Sequence, residues 1–186
     1  MIITNVELVP VASPTFEPGP PDENAIEIAR VVDRGIRSTQ AVNLEKLVIK
    51  EGEKVWLLFI DVHVLDYDGN LFDATALASI IALKRAEMPK VELDEQGEIR
   101  VIEGETWKLP VERIPLSTTI VKIGGKLLVD PTLEEEEAAD AMITVTTDGE
   151  RICSIQKMRG KFTVDEIRES IKIAFKMWNY LSKYVW

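Results

Sequence analysis

Four groups of residues in this chain have the types and spacing to do chemistry. The densest is the acidic segment Asp130 to Asp140, which holds Glu134, Glu135, Glu136 and Glu137 in a row. Clustered carboxylates hold a hard cation or share a proton. The same residues equally make a solvated acidic loop that leads into a helix. The second group is a row of arginines, Arg30, Arg34 and Arg37, at i, i+4 and i+7. On a helix that spacing sets three guanidiniums in line over two turns, where planar bidentate donors match successive phosphates. Glu23 and Glu27 share the face and offer the competing reading, a set of surface ion pairs. The third group is two solitary residues, His63 and Cys153, the only histidine and the only cysteine. Neither has a partner pattern near it, so His63 reads as a packed, hydrogen-bonded strand residue and Cys153 as a small buried hydrophobe. The fourth is Asp66 to Asn70, DYDGN. It resembles part of a calcium loop but lacks the later glutamate ligand, and it reads as a turn.

Several function classes are excluded by composition. The formal net charge of -10 rules out wrapping nucleic acid through a general basic field, so any contact with a polyanion is local. A single thiol excludes an intramolecular disulfide and a cysteine-rich zinc site, and fits a reducing cytosol. No apolar run reaches the ~20 residues of a membrane span, and the N-terminus has no secretory signal pattern. The expectation is a cytoplasmic protein without a membrane segment.

The elements that must position these groups follow from hydrophobic pattern. Ile2 to Val11 reads as a strand with which the chain opens, as a fragment would, and Ser13 to Pro21 as a stiff, proline-dense loop. Asp22 caps a helix from about Glu23 to Ser38, with Ala25, Ile28, Val32 and Ile36 as its packing stripe and the arginines opposite. Val55 to Leu65 is apolar on both parities, which predicts a central strand covered on both sides. A turn follows at Tyr67 to Asn70, then Asp73 near a helix N-terminus, then a helix apolar all round from Ala74 to Leu83.

Three hairpins are predicted downstream, turning at Asp94 to Gly97, at Gly124-Gly125 and at Asp148-Gly149. Thr163 and Glu166 form a capping box for a last helix, Val164 to about Lys183, with a stripe of Val164, Ile167, Ile171, Ala174, Phe175 and Trp178. That helix carries a second apolar line, Ile173, Met177, Tyr180 and Tyr184. It is either core or a contact with a neighbouring subunit. Together the elements predict one α+β domain over residues 1–186, a mostly antiparallel sheet covered by helices.

Three segments carry a resemblance: NVELVPVASPTFEPGPPDENAIEIARVVDRGIR, LDYDGNLFDATALASIIAL and LLVDPTLEEEEAADA. They resemble the RNase PH-type subunits of the archaeal exosome, and more narrowly its non-catalytic subunit, over nearly the whole chain. Family members have further N-terminal strands before the segment that opens here. The resemblance implies an RNase PH-like fold and a hexameric ring with a catalytic RNase PH-like partner. It also implies RNA-binding cap subunits, and single-stranded RNA degraded from its 3′ end by phosphate, with no cofactor or metal of its own. Catalytic members follow the buried strand with a Gly-Gly-Thr-Arg-type run, and the aligned residues here are Gly69, Asn70, Leu71 and Phe72. An apolar ring cannot neutralise a phosphate dianion. Catalytic members also carry two acids six residues apart, which align with Glu136 and Met142. A thioether is neither a base nor a hard-cation ligand. The resemblance thus implies a subunit without a phosphorolytic site of its own, holding RNA through Arg30, Arg34 and Arg37. The alternative is an active phosphate- or metal-dependent 3′ exoribonuclease that uses Glu134 to Asp140. A third reading, a structural spacer, gives the arginines no role.

Overall fold

The computed structural model describes residues 1–185. Strand β1 (Ile2–Leu8) leads through the proline loop to helix α1 (Glu23–Thr39). The Asp22 carboxylate caps α1 by accepting the Ala25 N–H at 2.8 Å. The predicted stripe of α1 is buried, and Gln40 ends the helix in the left-handed region. A short hairpin, β2 (Val48–Lys50) and β3 (Lys54–Val55), precedes β4 (Leu58–Val64), which pairs parallel with β1 from Ile2↔Leu58 to Leu8↔Val64. Helix α2 (Leu71–Arg85) follows, then the hairpin β5 (Glu87–Leu93) and β6 (Ile99–Lys108). Next come β7 (Leu116–Ile123), β8 (Lys126–Val129) and the short helix α3 (Leu133–Ala138). The chain closes with β9 (Ala141–Thr147), β10 (Ile152–Arg159) and α4 (Val164–Leu181).

The main sheet is antiparallel, in the order β10-β9-β7-β8. One face carries Ile120, Ile143 and Val145, which pack with Ala174 of α4 in an apolar cluster. The opposite face is lined by hydroxyls, Ser117 to Thr146 and Thr119 to Thr144, bonded at 2.9 and 2.8 Å. That face meets α2 through Asp73 and α1 through Gly35, where an added Cβ would stand 3.2 Å from Thr146. A larger cluster joins α1, α2, β1 and β4 around Ile28, Val32, Ile60 and Ile80. The three predicted hairpins are present, as are the α+β class and the antiparallel sheet covered by helices.

Three expectations need correction. The segment Val55 to Leu65 is not a strand covered on both sides. Trp56, Leu58, Ile60, Val62 and Val64 turn inward, while Phe59 and Leu65 are 59% and 70% exposed. Asp61 and His63 share the outer parity, so the run was half polar on that face. The strands covered on both faces are β7 and β9. Helix α2 is likewise not buried all round, because Ala74, Ala78 and Ala82 face outward. An alanine methyl costs little in water, so composition does not separate the two cases. Lastly, Val164 lies outside the packing stripe of α4, at 64% exposure.

Candidate functional site

Helix α1 places Arg30, Arg34 and Arg37 on its outer face, where they line one shallow groove with Asp33 and Ser38. The three differ in what holds them. Among the described residues Arg30 has no side-chain partner. Arg34 donates from Nη1 to Gln156 Oε1 on β10 at 2.7 Å, a neutral partner that leaves its charge uncompensated. Arg37 is paired, with its Nε 2.6 Å from Asp33 Oδ2 and its Nη2 donating to the Ile2 carbonyl. The ion-pair reading therefore holds at Arg37, through Asp33 rather than Glu23 or Glu27. Asp33 was legible as the i−4 neighbour of Arg37.

Beside this row lies a cavity of about 220 Å³ between α1, the 67–72 segment, β9 and β10. Phe16, Tyr67, Leu71, Phe72, Met142 and Met158 form most of its wall, with Asn24, Glu27 and Glu136 as polar members. Positions 72 and 142, which are 70 residues apart, thus meet around one space. Both bring apolar side chains to it. No lysine, arginine or histidine lines the cavity among the described residues. Phe16 comes from the proline loop and stacks obliquely on Tyr67, with ring centroids 5.1 Å apart. Nothing in the sequence pattern joined those two rings, and Met158 was equally invisible as a wall residue.

The acidic segment is drawn into structural bonds. Glu135 closes a capping box on α3 with Thr132. Asp140 accepts the Gly124 N–H at 3.0 Å, and Glu136 accepts the Asn70 N–H at 2.9 Å. Burial holds the Glu136 carboxyl above the usual range, against the opposing pull of that N–H and of Arg159. No group of three or more histidine, cysteine, aspartate or glutamate side chains converges to hold a metal among the described residues. The site is built on the turn beneath it. Gly69 has φ +90, and a Cβ there would stand 2.6 Å from the backbone of Pro131, Thr132 and Leu133. The turn can approach α3 this closely only as glycine.

Two residues behave differently from their sequence reading. His63 Nδ1 stands 3.1 Å from Glu7 Oε2, and its side chain is half exposed rather than packed. Asp73, read only as a helix-terminus carboxylate, is the hub of a buried network. It accepts from the Thr119 N–H at 2.7 Å, the Thr119 hydroxyl at 2.8 Å and the Asn70 amide at 3.1 Å. Burial outweighs these bonds and pushes its carboxyl up to about 6. Cys153 is half-buried, and burial raises its thiol.

The sequence profile of the 3′ exoribonuclease family, domain 1, matches residues 1–89, and that of domain 2 matches residues 113–177. The chain is 55% identical over 188 residues to an exosome complex component Rrp42 from Pyrococcus horikoshii, covering 100% of this chain and 68% of that protein. An exosome complex component Rrp42 from Archaeoglobus fulgidus is 53% identical over 167 residues, covering 89% of this chain and 61% of the relative. The fold superposes with a TM-score of 0.86, at 48% identity, on a chain from the structure of the Archaeoglobus fulgidus exosome with RNA bound to the active site. That match covers 98% of this chain and 70% of the other. The chain thus spans about two thirds of the length of the relatives it matches. A rice Rrp46 structure, 12% identical with a TM-score of 0.67, shares the fold.

Proposed function

This chain belongs to the 3′ exoribonuclease (RNase PH) family, and we propose that it is a non-catalytic subunit of an archaeal-type exosome ring. In that ring it pairs with a catalytic RNase PH-like homologue and holds single-stranded RNA for phosphorolytic degradation from the 3′ end. The observation that carries the reading is the cavity in which Phe72, Glu136 and Met142 meet. Phosphorolysis needs cationic donors on the attacking phosphate and a hydrophilic acid or base beside the scissile bond. The aligned positions supply a phenyl ring and a thioether instead, and the one carboxylate there is tied to the Asn70 N–H. The arginine row supports RNA contact. Among the described residues Arg30 and Arg34 have no ion-pair partner, since Asp33 of the same groove is taken by Arg37, so they offer a local cationic track on a chain of net charge -10.

The test is an assay of single-stranded RNA with inorganic phosphate, run on the isolated chain and on the chain mixed with its catalytic homologue. The expected result is no nucleoside diphosphate from the chain alone and processive release from the mixture. Robust turnover by the chain alone would favour the other reading, a nuclease built on Glu134 to Asp140. Its product would then distinguish the reactions, a nucleoside diphosphate for attack by phosphate and a nucleoside monophosphate for attack by water, and removal of divalent metal would test the metal-dependent form.

A further inference from the structure

The cavity beside the arginine row has the chemistry of a nucleobase pocket. We propose that it takes one unpaired base rich in N–H donors, guanine above all, from an RNA strand whose phosphates lie along Arg30 and Arg34. The wall is flat and apolar where Tyr67 and Phe72 face the space, and polarisable where Met142 and Met158 do. Such surfaces accept the π-face of a base. Its volume of about 220 Å³ is below the ~300–1,000 Å³ of sites for larger ligands, so it holds one ring system and not a whole nucleotide.

The charges in and around the cavity sort the parts of a nucleotide. Glu27 and Glu136 both line the space, whose wall has no cationic side chain among the described residues; Arg159, whose charge acts on Glu136, lies outside that wall and donates to the Glu136 and Glu137 carbonyls. A phosphate dianion is therefore repelled from the space, while a base edge that presents N–H donors is attracted. Asn70 occupies Glu136 Oε1, and Oε2 has no described partner. Guanine offers two adjacent donors, N1–H and the exocyclic amino group. Uracil has a single ring N–H donor flanked by carbonyl oxygens, which a carboxylate repels. The arginines are in reach of such a strand. Gln156, which holds Arg34 and pairs with Thr144 of β9, and Met158, which lines the cavity with Met142 of β9, are two apart on β10, with a register shift at Met158. Glu27 at the cavity rim is one and two turns from Arg30 and Arg34, roughly 5 and 10 Å along the helix. The proposal rests on the arginine row holding RNA only for the path of the strand.

A nucleoside probe separates the two claims, because it has no phosphate for the arginines. With the methionine methyl groups ¹³C-labelled, guanosine is expected to shift the Met142 and Met158 signals through the ring current of the stacked base. Met88 in the core and Met177 on α4 stay in place as internal controls. Uridine at the same concentration gives smaller shifts, and inorganic phosphate gives none at these methyls. Glu136→Gln still accepts the Asn70 N–H, so the fold stays, but guanosine affinity falls on the order of tenfold, as for a lost hydrogen bond to a charged group. Arg30→Glu weakens a guanine-containing oligonucleotide and leaves guanosine binding unchanged. If neither nucleoside moves Met142 or Met158, or if phosphate does, the nucleobase pocket is wrong while the arginine row stands or falls on the oligonucleotide alone. Equal shifts from guanosine and uridine, or equal affinity for guanosine in Glu136→Gln, overturn the role given to Glu136.

Discussion

Arg30, Arg34 and Arg37 share a spacing, yet the side chains around them make them unequal. Arg37 already has Asp33 and the Ile2 carbonyl, so a phosphate must compete with them. Arg30→Glu and Arg34→Glu are therefore expected to weaken RNA binding by the assembled complex more than Arg37→Glu does. Each should also lower the magnitude of the salt slope by about 0.7 per lost single-strand contact. Affinity measured across a salt series checks this, and unchanged slopes in the first two variants would take Arg30 and Arg34 off the path of the RNA. Asp73 carries a second prediction. Its folded carboxyl lies at about 6 against an ordinary 3.8, so between those values the folded chain binds more protons than the unfolded one. Stability from this group is present below pH 4 and is lost as pH rises through 6, a cost of about 3 kcal/mol at neutral pH. Asp73→Asn keeps every bond. Its amide oxygen accepts from Thr119 N–H and Asn70, its amino group donates to the Thr119 hydroxyl, and that hydroxyl turns to Thr144. Relative to the parent chain the variant should gain stability above pH 6, read as a thermal midpoint over pH 4–8. An unchanged difference across that range would contradict the buried-charge account.

At the scale of elements, the turn before α2 and the end of α4 make opposite predictions. Gly69 combines φ +90 with backbone of the 131–133 segment 2.6 Å from where a Cβ would sit. Gly69→Ala should cost about 1–3 kcal/mol, or some 2–12 °C in midpoint for a chain of this size. It should also move the Met142 signal by displacing α3 and Glu136. On α4 the second apolar line divides. Ile173 packs into the cluster beneath the sheet and Met177 is half-buried. Tyr180 and Tyr184 are 56% and 60% exposed and stack edge to face at 5.7 Å. The core reading thus holds for Ile173 and Met177, and only the tyrosine pair is left for a subunit contact. Met177→Glu is expected to lower the midpoint of the isolated chain by burying part of a charge, whereas Tyr180→Glu should leave it within a degree or two. If the tyrosine pair meets a neighbouring subunit, Tyr180→Glu weakens assembly with the catalytic homologue, and normal assembly of that variant would assign the pair to solvent.

For the whole molecule, the outer side of the β1 and β4 pair presents Phe59 and Leu65 to solvent beside Asp61 and His63. A two-stranded parallel sheet with an open face and open edges is an uncommon arrangement, since parallel strands are usually covered on both sides. Mass measurement on the 20.9 kDa chain, alone and with its catalytic homologue, tests whether this form enters a ring. The expected outcome is a small species alone and a single heteromeric species of ring size in the mixture. Two unmixed populations would mean that the interfaces present here do not suffice.

What the sequence determined by itself was local or carried by long idiosyncratic segments. The caps at Asp22 and Thr163 and the hairpin turns were legible because each is set by residues within a few positions of one another. The arginine row was legible because helical spacing alone fixes a shared face. Family membership was legible through the residues of the 5–37 segment. What the tertiary structure decided was every property set by residues distant in the chain. Phe16, Tyr67, Phe72, Met142 and Met158 become one wall only after a loop, a turn, the start of α2 and two strands converge. Asp73 becomes a buried hub only when β7 brings Thr119 to it. The apolar run 55–65 has one open face because exposure depends on what is packed against a strand, and hydrophobic pattern cannot report a neighbour.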